Sequence, residues 1–252
     1  MQPQLKPLDA PHALPAALAL KAAALQTLLA RIATDYSPAT LASSLSIEDM
    51  VVTDAILSGG HAIEVFTLDT RRMHADTLAL VDAIQQKYTC AVKVYRPEPQ
   101  AVTQYITVHG RDAFYDSVDL RKRCCEIRKV EPLKRALAGK KAWLTGMRRE
   151  QSTTRTELDI QRFDSVYGLE KFNPLADWSE DEVWTYLRAR DVPYNALYDQ
   201  GYRSIGCAPC SRPVVAGEDV RAGRWWWEQP ESKECGLHVG PDGKLQRSAG
   251  QA

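Results

Sequence analysis

"ATLASSLSIEDMVVTDAILSGGHAIEVFTLD", residues 39–69, changes its hydrophobic rhythm twice. Residues 39–44 are a short apolar run ending in two serines, the pattern of a buried strand. Residues 47–60 read as a helix closed by Gly59 and Gly60, since glycine accepts the left-handed backbone that ends helices. Residues 62–69 return to strand. The alternation continues outward, with a helix over 74–88, a strand over 90–97 and a helix near 99–109. Further on, Pro132 suits a first helical turn and Gly139 a helix end, before a strand over 141–146. Strands interleaved with helices predict an α/β fold, a mostly parallel sheet flanked by helices on both faces. Ligands of such sheets lie beyond the carboxyl ends of the strands. "SSLSIEDM" (43–50) falls at one such end, where backbone N–H groups and hydroxyls can cradle an anion. A serine before a helix is more commonly only a cap.

The flanks are read the same way. An Ala/Leu-rich stretch predicts an N-terminal helix over 12–34, which Lys21 and the preceding prolines interrupt below membrane-spanning length. Without a basic start or a continuous apolar core it is not a secretory signal, so a cytoplasmic protein with no membrane partner is expected. Residues 158–175 suggest an edge hairpin or extended segment, and 179–191 a helix opened by a Ser179/Glu182 capping box. From Tyr194 on, Gly, Pro, Arg and Trp replace periodic runs. The expectation is one domain over 1–252: N-terminal helix, core 39–191 and an irregular segment 194–252. Of 252 residues, 44% are hydrophobic, and 32 basic residues balance 32 acidic ones. Zero net charge argues against broad nucleic-acid or membrane-surface binding, but leaves room for a local basic pocket.

"RKRCCEIRKV" (121–130) poses the chemical question. Adjacent cysteines make poor packing, because helix neighbours point about 100° apart and strand neighbours to opposite faces. A turn that sends both sulfurs to one object would explain them. Cys207-Ala-Pro-Cys210 supplies a second pair, 82 residues on from Cys125. Four thiolates suit zinc or an iron–sulfur cluster. Zinc sites usually space their cysteines, so the vicinal pair favours the wider cluster; two unrelated pairs of small buried residues are the plain alternative. Arg121, Lys122, Arg123, Arg128 and Lys129 would offset cluster charge, although about half of them suit a solvated face equally well. Arg148 and Arg149 follow the 141–146 strand, and Arg221 and Arg224 stand in the irregular segment. Together they fit a multiply charged anion better than unpaired surface arginines. Cys235 lies in a Gly/Pro-flanked tail with Lys233 and His238 near, which favours its thiolate.

Six stretches now coincide with one family: "SSLSIEDM", "LDTRRMH", "KRCCEIRKVEPLKRAL", "LTGMRREQS", "GCAPCSRPV" with "GEDVRAGRWWW", and "KECGLH", all within 41–238. The chain resembles the assimilatory sulfonucleotide reductases, specifically the iron–sulfur adenylylsulfate (APS) reductases. The resemblance implies an adenine-nucleotide α-hydrolase-like, Rossmann-like fold. It implies that Cys124, Cys125, Cys207 and Cys210 hold a 4Fe–4S cluster, with Lys129 between cluster and substrate. It implies that Cys235 attacks the sulfur of APS, releasing AMP, and that a separate reduced thioredoxin or glutaredoxin then frees sulfite. Nucleotide contacts are expected from Ser43, Ser44, Ser46 and Leu68, and phosphosulfate contacts from Arg221 and Arg224. Arg148 and Arg149 would close over the substrate, and His238 would lie beside it. Leu45-Ser46 replaces the usual Phe-Gly or Phe-Ser, and Arg71 stands where glycine is usual. A reductase for the 3′-phosphorylated substrate (PAPS), or for both, is the first alternative. An RNA thiolase of the same fold would want a Ser-Gly-Gly-x-Asp-Ser loop, which 43–50 lacks. A non-catalytic cluster protein would leave Cys235 and the arginines without a task. Self-association stays open.

Overall fold

The computed structural model describes residues 13–151 and 158–229. In chain order the elements are α1 (Ala16–Asp35), β1 (Ala39–Ser43), α2 (Ile47–Ser58), β2 (Ile63–Leu68), α3 (Ala75–Tyr88), β3 (Lys93–Tyr95), α4 (Pro99–His109), α5 (Val118–Cys125), α6 (Glu131–Leu137), β4 (Ala142–Leu144), β5 (Gln161–Asp164), β6 (Leu169–Phe172) and α7 (Glu180–Ala189). The strands form one sheet in the order β3-β2-β1-β4-β6-β5. All pairings are parallel except β5 with β6.

The centre of the sheet is dry on both faces. In β1 Leu41, and in β4 Ala142, Trp143 and Leu144, are fully buried, as parallel strands covered by helices must be. One face packs on α2, whose residues Ile47 to Ile56 are all buried, and on α1 and α7 beyond it. On the other face Phe66 and Trp143 meet Leu133, Ala136 and Leu137 of α6. Helix α1 is long and apolar enough to span a membrane by length and composition alone. The expectation that Lys21 interrupts this stretch is corrected: the helix runs through it, Lys21 bonds Glu182 at 2.7 Å, and Leu18, Leu25, Leu29 and Ile32 pack into the main core.

The edge hairpin expected within 158–175 forms from β5 and β6, and β6 also pairs in parallel with β4. Two local readings change. β3 is three residues long rather than the run 90–97. The cysteine pair does not sit on a turn. Ser117 caps α5 by accepting the Leu120 N–H, and α5 runs through a π-helical turn, Glu126–Val130, directly into α6. The basic residues around the cysteines are good helix formers, which is why the segment stays helical.

Candidate active site

β1 and β4 are neighbours, and the chain leaves them in opposite directions across the sheet, so their carboxyl ends open a crevice. A cavity of about 320 Å³ lies there. Ser43, Ser44, Ser46, Leu68, Lys129, Arg148, Arg221 and Arg224 all line it. Asp49 stitches the two walls together. Its carboxylate accepts the Ser44 N–H at 2.7 Å, the Ser44 hydroxyl at 2.6 Å and the Gly146 N–H at 2.8 Å. A Cβ at Gly146 would come within 2.6 Å of Asp49 Oδ1 and 2.8 Å of its backbone nitrogen, so only glycine allows this approach. Burial pushes the Asp49 carboxyl up to about 6 against those hydrogen bonds. Tyr198 completes the floor, accepting the Ile47 N–H at 3.3 Å.

The arginines divide into two groups. Arg148 is buried and held by Glu48 at 2.9 Å and 3.1 Å, with the Trp178 carbonyl at 3.3 Å. Arg149 forms an ion pair with Asp177 and is not among the residues lining the cavity. Both cations are thus neutralised by carboxylates in this conformation. Arg224 is different. Its Nη1 donates to the Ile205 carbonyl at 3.3 Å, its guanidinium lies 4.5 Å from the Trp225 ring centre, and its buried Nε has no partner among the described residues. Gly206 gives it room: a Cβ there would stand 2.6 Å from Arg224 Nη2.

A second, small cavity adjoins the first, lined by Cys124, Cys125, Cys207 and Cys210 with Arg72, Arg121, Arg128 and Lys129. The helix end of α5 brings the first cysteine pair, and a 3-10 turn at Ala208–Cys210 the second. An isolated bridge between Met73 and Cys207 and the Ala208 N–H to Arg72 carbonyl bond of 2.7 Å tie that turn to the loop after β2. Thr70 Oγ1 lies 3.1 Å from Cys207 Sγ, and Arg128 Nη1 donates to the Thr70 carbonyl at 2.9 Å. Burial, then the neighbouring Cys207, pushes the Cys210 thiol up to about 12; burial also raises that of Cys124, against the pull of Arg128. Among the described residues no three His, Cys, Asp or Glu groups converge on a single metal ion. Lys129 and Cys207 line both cavities. Trp225 stands between them, packed against Cys207 and Cys210, with its buried Nε1 unpartnered among the described residues. Cys235 and His238 lie outside the described residues.

Sequence reasoning passed over Asp49, Thr70, Tyr198, Arg203 and Trp225, all of which line the nucleotide-sized cavity. Asp49 and Thr70 sat inside quoted motifs, so their polarity beside a strand end was the available signal. Tyr198 and Arg203 carried none, because no periodic pattern marks their loop. The two departures, Leu45 and Arg71, both hold left-handed backbone, at φ 64° and φ 60°. That explains why glycine suits the position of Arg71.

Comparison with known proteins follows the same line. Residues 38–213 match the family model described as phosphoadenosine phosphosulfate reductase domain. A protein of Neisseria meningitidis named adenosine 5′-phosphosulfate reductase is 55% identical over 223 residues, covering 88% of this chain and 91% of that protein. One of Allochromatium vinosum with the same name is 53% identical over 218 residues, covering 86% and 85%. Among solved structures, phosphoadenylyl-sulfate (PAPS) reductase from Candida auris, in a phosphate complex, superposes with a TM-score of 0.65 at 24% identity, covering 81% of this chain and 99% of that one. Yeast FAD synthetase shares the fold more distantly, with a TM-score of 0.52 at 15% identity, over 80% and 70% of the two chains. A cavity at the sheet's switch point, two cysteine pairs meeting beside it and identity above one half over most of the chain agree: this protein belongs to the sulfonucleotide reductase family, among the adenosine 5′-phosphosulfate reductases.

Proposed function

We propose that the protein reduces adenosine 5′-phosphosulfate to sulfite and AMP, in assimilatory sulfate reduction. The observation that carries this reading is the shared wall: Lys129 and Cys207 line both the nucleotide-sized cavity and the four-cysteine cavity. The names of the relatives supply the substrate. The cavity suits it in charge, with Lys129, Arg221 and Arg224 along one side and the α2 N-terminus along another. Arg71 is absent from the cavity lining, which favours APS over a 3′-phosphorylated substrate.

The donor set fits a 4Fe–4S cluster. Four cysteines line one small cavity, and Trp225, whose buried Nε1 has no partner among the described residues, packs against two of them. Cys124, Cys125, Cys207 and Cys210 would hold the group, which when bound would join both cysteine pairs to one rigid, sulfur-rich body next to Lys129. Around it the chain's own residues do the work. Arg221 and Arg224 bind the phosphosulfate, the Ser44–Ser46 turn and Asp49 orient the nucleotide, and Lys129 counters developing negative charge. The Cys235 thiolate attacks the sulfate sulfur, the bond to the bridging phosphate oxygen breaks, and AMP departs with that electron pair. A thiolate of a separate thioredoxin- or glutaredoxin-type donor attacks the Cys235 sulfur and sulfite leaves. A second donor thiol then closes the donor's disulfide and restores Cys235.

Incubation with APS and no reductant tests the reading. We expect a gain of one sulfonate, about 80 Da, on the tail peptide, and sulfite release on adding reduced thioredoxin. Mass gain on Cys90 instead, or turnover by Cys235→Ser, would refute the nucleophile. Equal specificity constants for APS and PAPS would refute the preference.

A further inference from the structure

Arg121 and Glu228 form a buried, two-pronged ion pair. Arg121 Nε donates to Glu228 Oε1 at 2.6 Å, and Nη2 to Oε2 at 2.9 Å. The side chains are 1% and 4% exposed. Arg121 belongs to α5, three residues before the first cysteine, while Glu228 closes the arm that follows the second pair. The pair therefore spans the two halves of the four-cysteine set. Each end is tied further. On the α5 side, the Arg121 guanidinium also hydrogen-bonds Cys125 and lies 4.6 Å from the Trp225 ring centre. On the arm side, the Glu228 N–H donates to the Trp225 carbonyl at 2.8 Å and the Trp225 N–H to the Cys210 carbonyl at 3.3 Å. An antiparallel bridge joins Ser211 to Arg224. The arm carries Arg221 and Arg224 into the nucleotide cavity.

We infer that Arg121 and Glu228 are positioning residues: their ion pair locks the arginine-bearing arm onto the cysteine helix, so that affinity for the nucleotide depends on a contact outside the nucleotide cavity. Neither residue lines that cavity, yet Glu228 stands on the arm four residues after Arg224 and Arg121 on the helix that carries Cys124 and Cys125. The bidentate geometry fixes the arm in direction as well as distance. The inference rests on the proposed nucleotide function.

The test uses the cluster-loaded protein as purified and reads the AMP dissociation constant, iron content and Tm. Removing one partner strands a buried charge, so Glu228→Gln and Arg121→Lys are accompanied by the double variant Arg121→Met/Glu228→Met, which removes both charges together. We expect AMP affinity to fall at least tenfold in Glu228→Gln and in the double variant, with the double no worse than the single. Iron content should remain that of wild type. Affinity within twofold of wild type in the folded double variant overturns the lock, whatever its Tm. Loss of iron in step with affinity also overturns it, because the pair would then merely hold the cysteines. If wild type itself fails to bind AMP, the nucleotide reading falls and the lock with it; if wild type binds and the variants match it, only the lock falls.

Discussion

Gly206→Ala should weaken the enzyme without weakening the protein. The new Cβ would lie 2.6 Å from Arg224 Nη2, 2.7 Å from Cζ and 3.2 Å from Nε. Ordinary contact begins at 3.4 Å, so the guanidinium must retreat by roughly 0.8 Å or swing away. Little opposes that movement, since one 3.3 Å bond to the Ile205 carbonyl and the stack on Trp225 hold the group. The strain is therefore relieved by a side chain rather than by backbone. A charge-assisted hydrogen bond to an anion contributes about 1.5–3 kcal/mol, and a displacement of this size forfeits a large part of it. With about 1.4 kcal/mol per decade, kcat/KM for APS should drop roughly 5- to 50-fold. Tm should hold or rise slightly, because alanine restricts the unfolded chain. Iron content should not change. The assay is sulfite release at subsaturating APS, beside thermal unfolding of the same preparation. An unchanged kcat/KM with unchanged Tm would refute the placement of Arg224 on the substrate. The contrast is Gly146→Ala, where the Cβ would meet backbone of Glu48 and Asp49 at 2.9 Å and 2.8 Å; that change should lower stability as well as activity.

Arg71→Gly should raise stability by about 1 kcal/mol, because it removes a side chain from left-handed backbone while forfeiting only an exposed 3.9 Å contact to Asp69; urea unfolding measures it, and a destabilised variant would contradict the reasoning. Asp49 holds its proton more tightly folded than unfolded, since burial lifts its carboxyl from 3.8 to about 6. Its contribution to stability is therefore present at pH 4 and lost as pH rises through 6. Subtracting the stability–pH curve of Asp49→Asn should isolate a fall over that window; a flat difference would remove the buried carboxyl from the account. Cys124→Ser and Cys207→Ser should bleach the broad absorption near roughly 400 nm expected of the cluster-loaded protein, and stoichiometric zinc without iron or sulfide in anaerobically prepared wild type would refute the cluster.

The strand–helix alternation of 39–69 was legible because burial on both faces and helical spacing leave a mark within a few residues. The hairpin over 161–172 was half legible: alternation announces strands, but the parallel partner of β6 is β4, and pairing leaves no local trace. That the two cysteine pairs meet at one cavity was legible, but the first pair's setting was misread, since its basic neighbours sustain a helix through a π-helical turn. Arg148 shows where local reading stops. Its position after a strand does bring it to the cavity wall, but nothing local foretold Glu48, 100 residues earlier, as its buried partner there. Glu228 likewise means nothing without Arg121, 107 residues before it.

The cavity's two sides hang from unequal supports. The serine turn and the Gly146 loop issue from β1 and β4, the driest strands of the sheet, whereas the arm bearing Arg221 and Arg224 belongs to no sheet and hangs from the Arg121–Glu228 pair and a few loop hydrogen bonds, Arg212 N–H to the Gly223 carbonyl, Val214 N–H to the Gly201 carbonyl and Trp225 N–H to the Cys210 carbonyl, with Val215 69% exposed at its tip. Amide hydrogens of 39–43 and 142–144 should therefore exchange only on global unfolding, and those of 212–224 through much cheaper local openings. Under the proposed function, the side of the cavity that meets the nucleoside is set by the sheet and the side that meets the anionic end by an arm that opens more cheaply, so the rate at which AMP escapes should follow the opening of the arm.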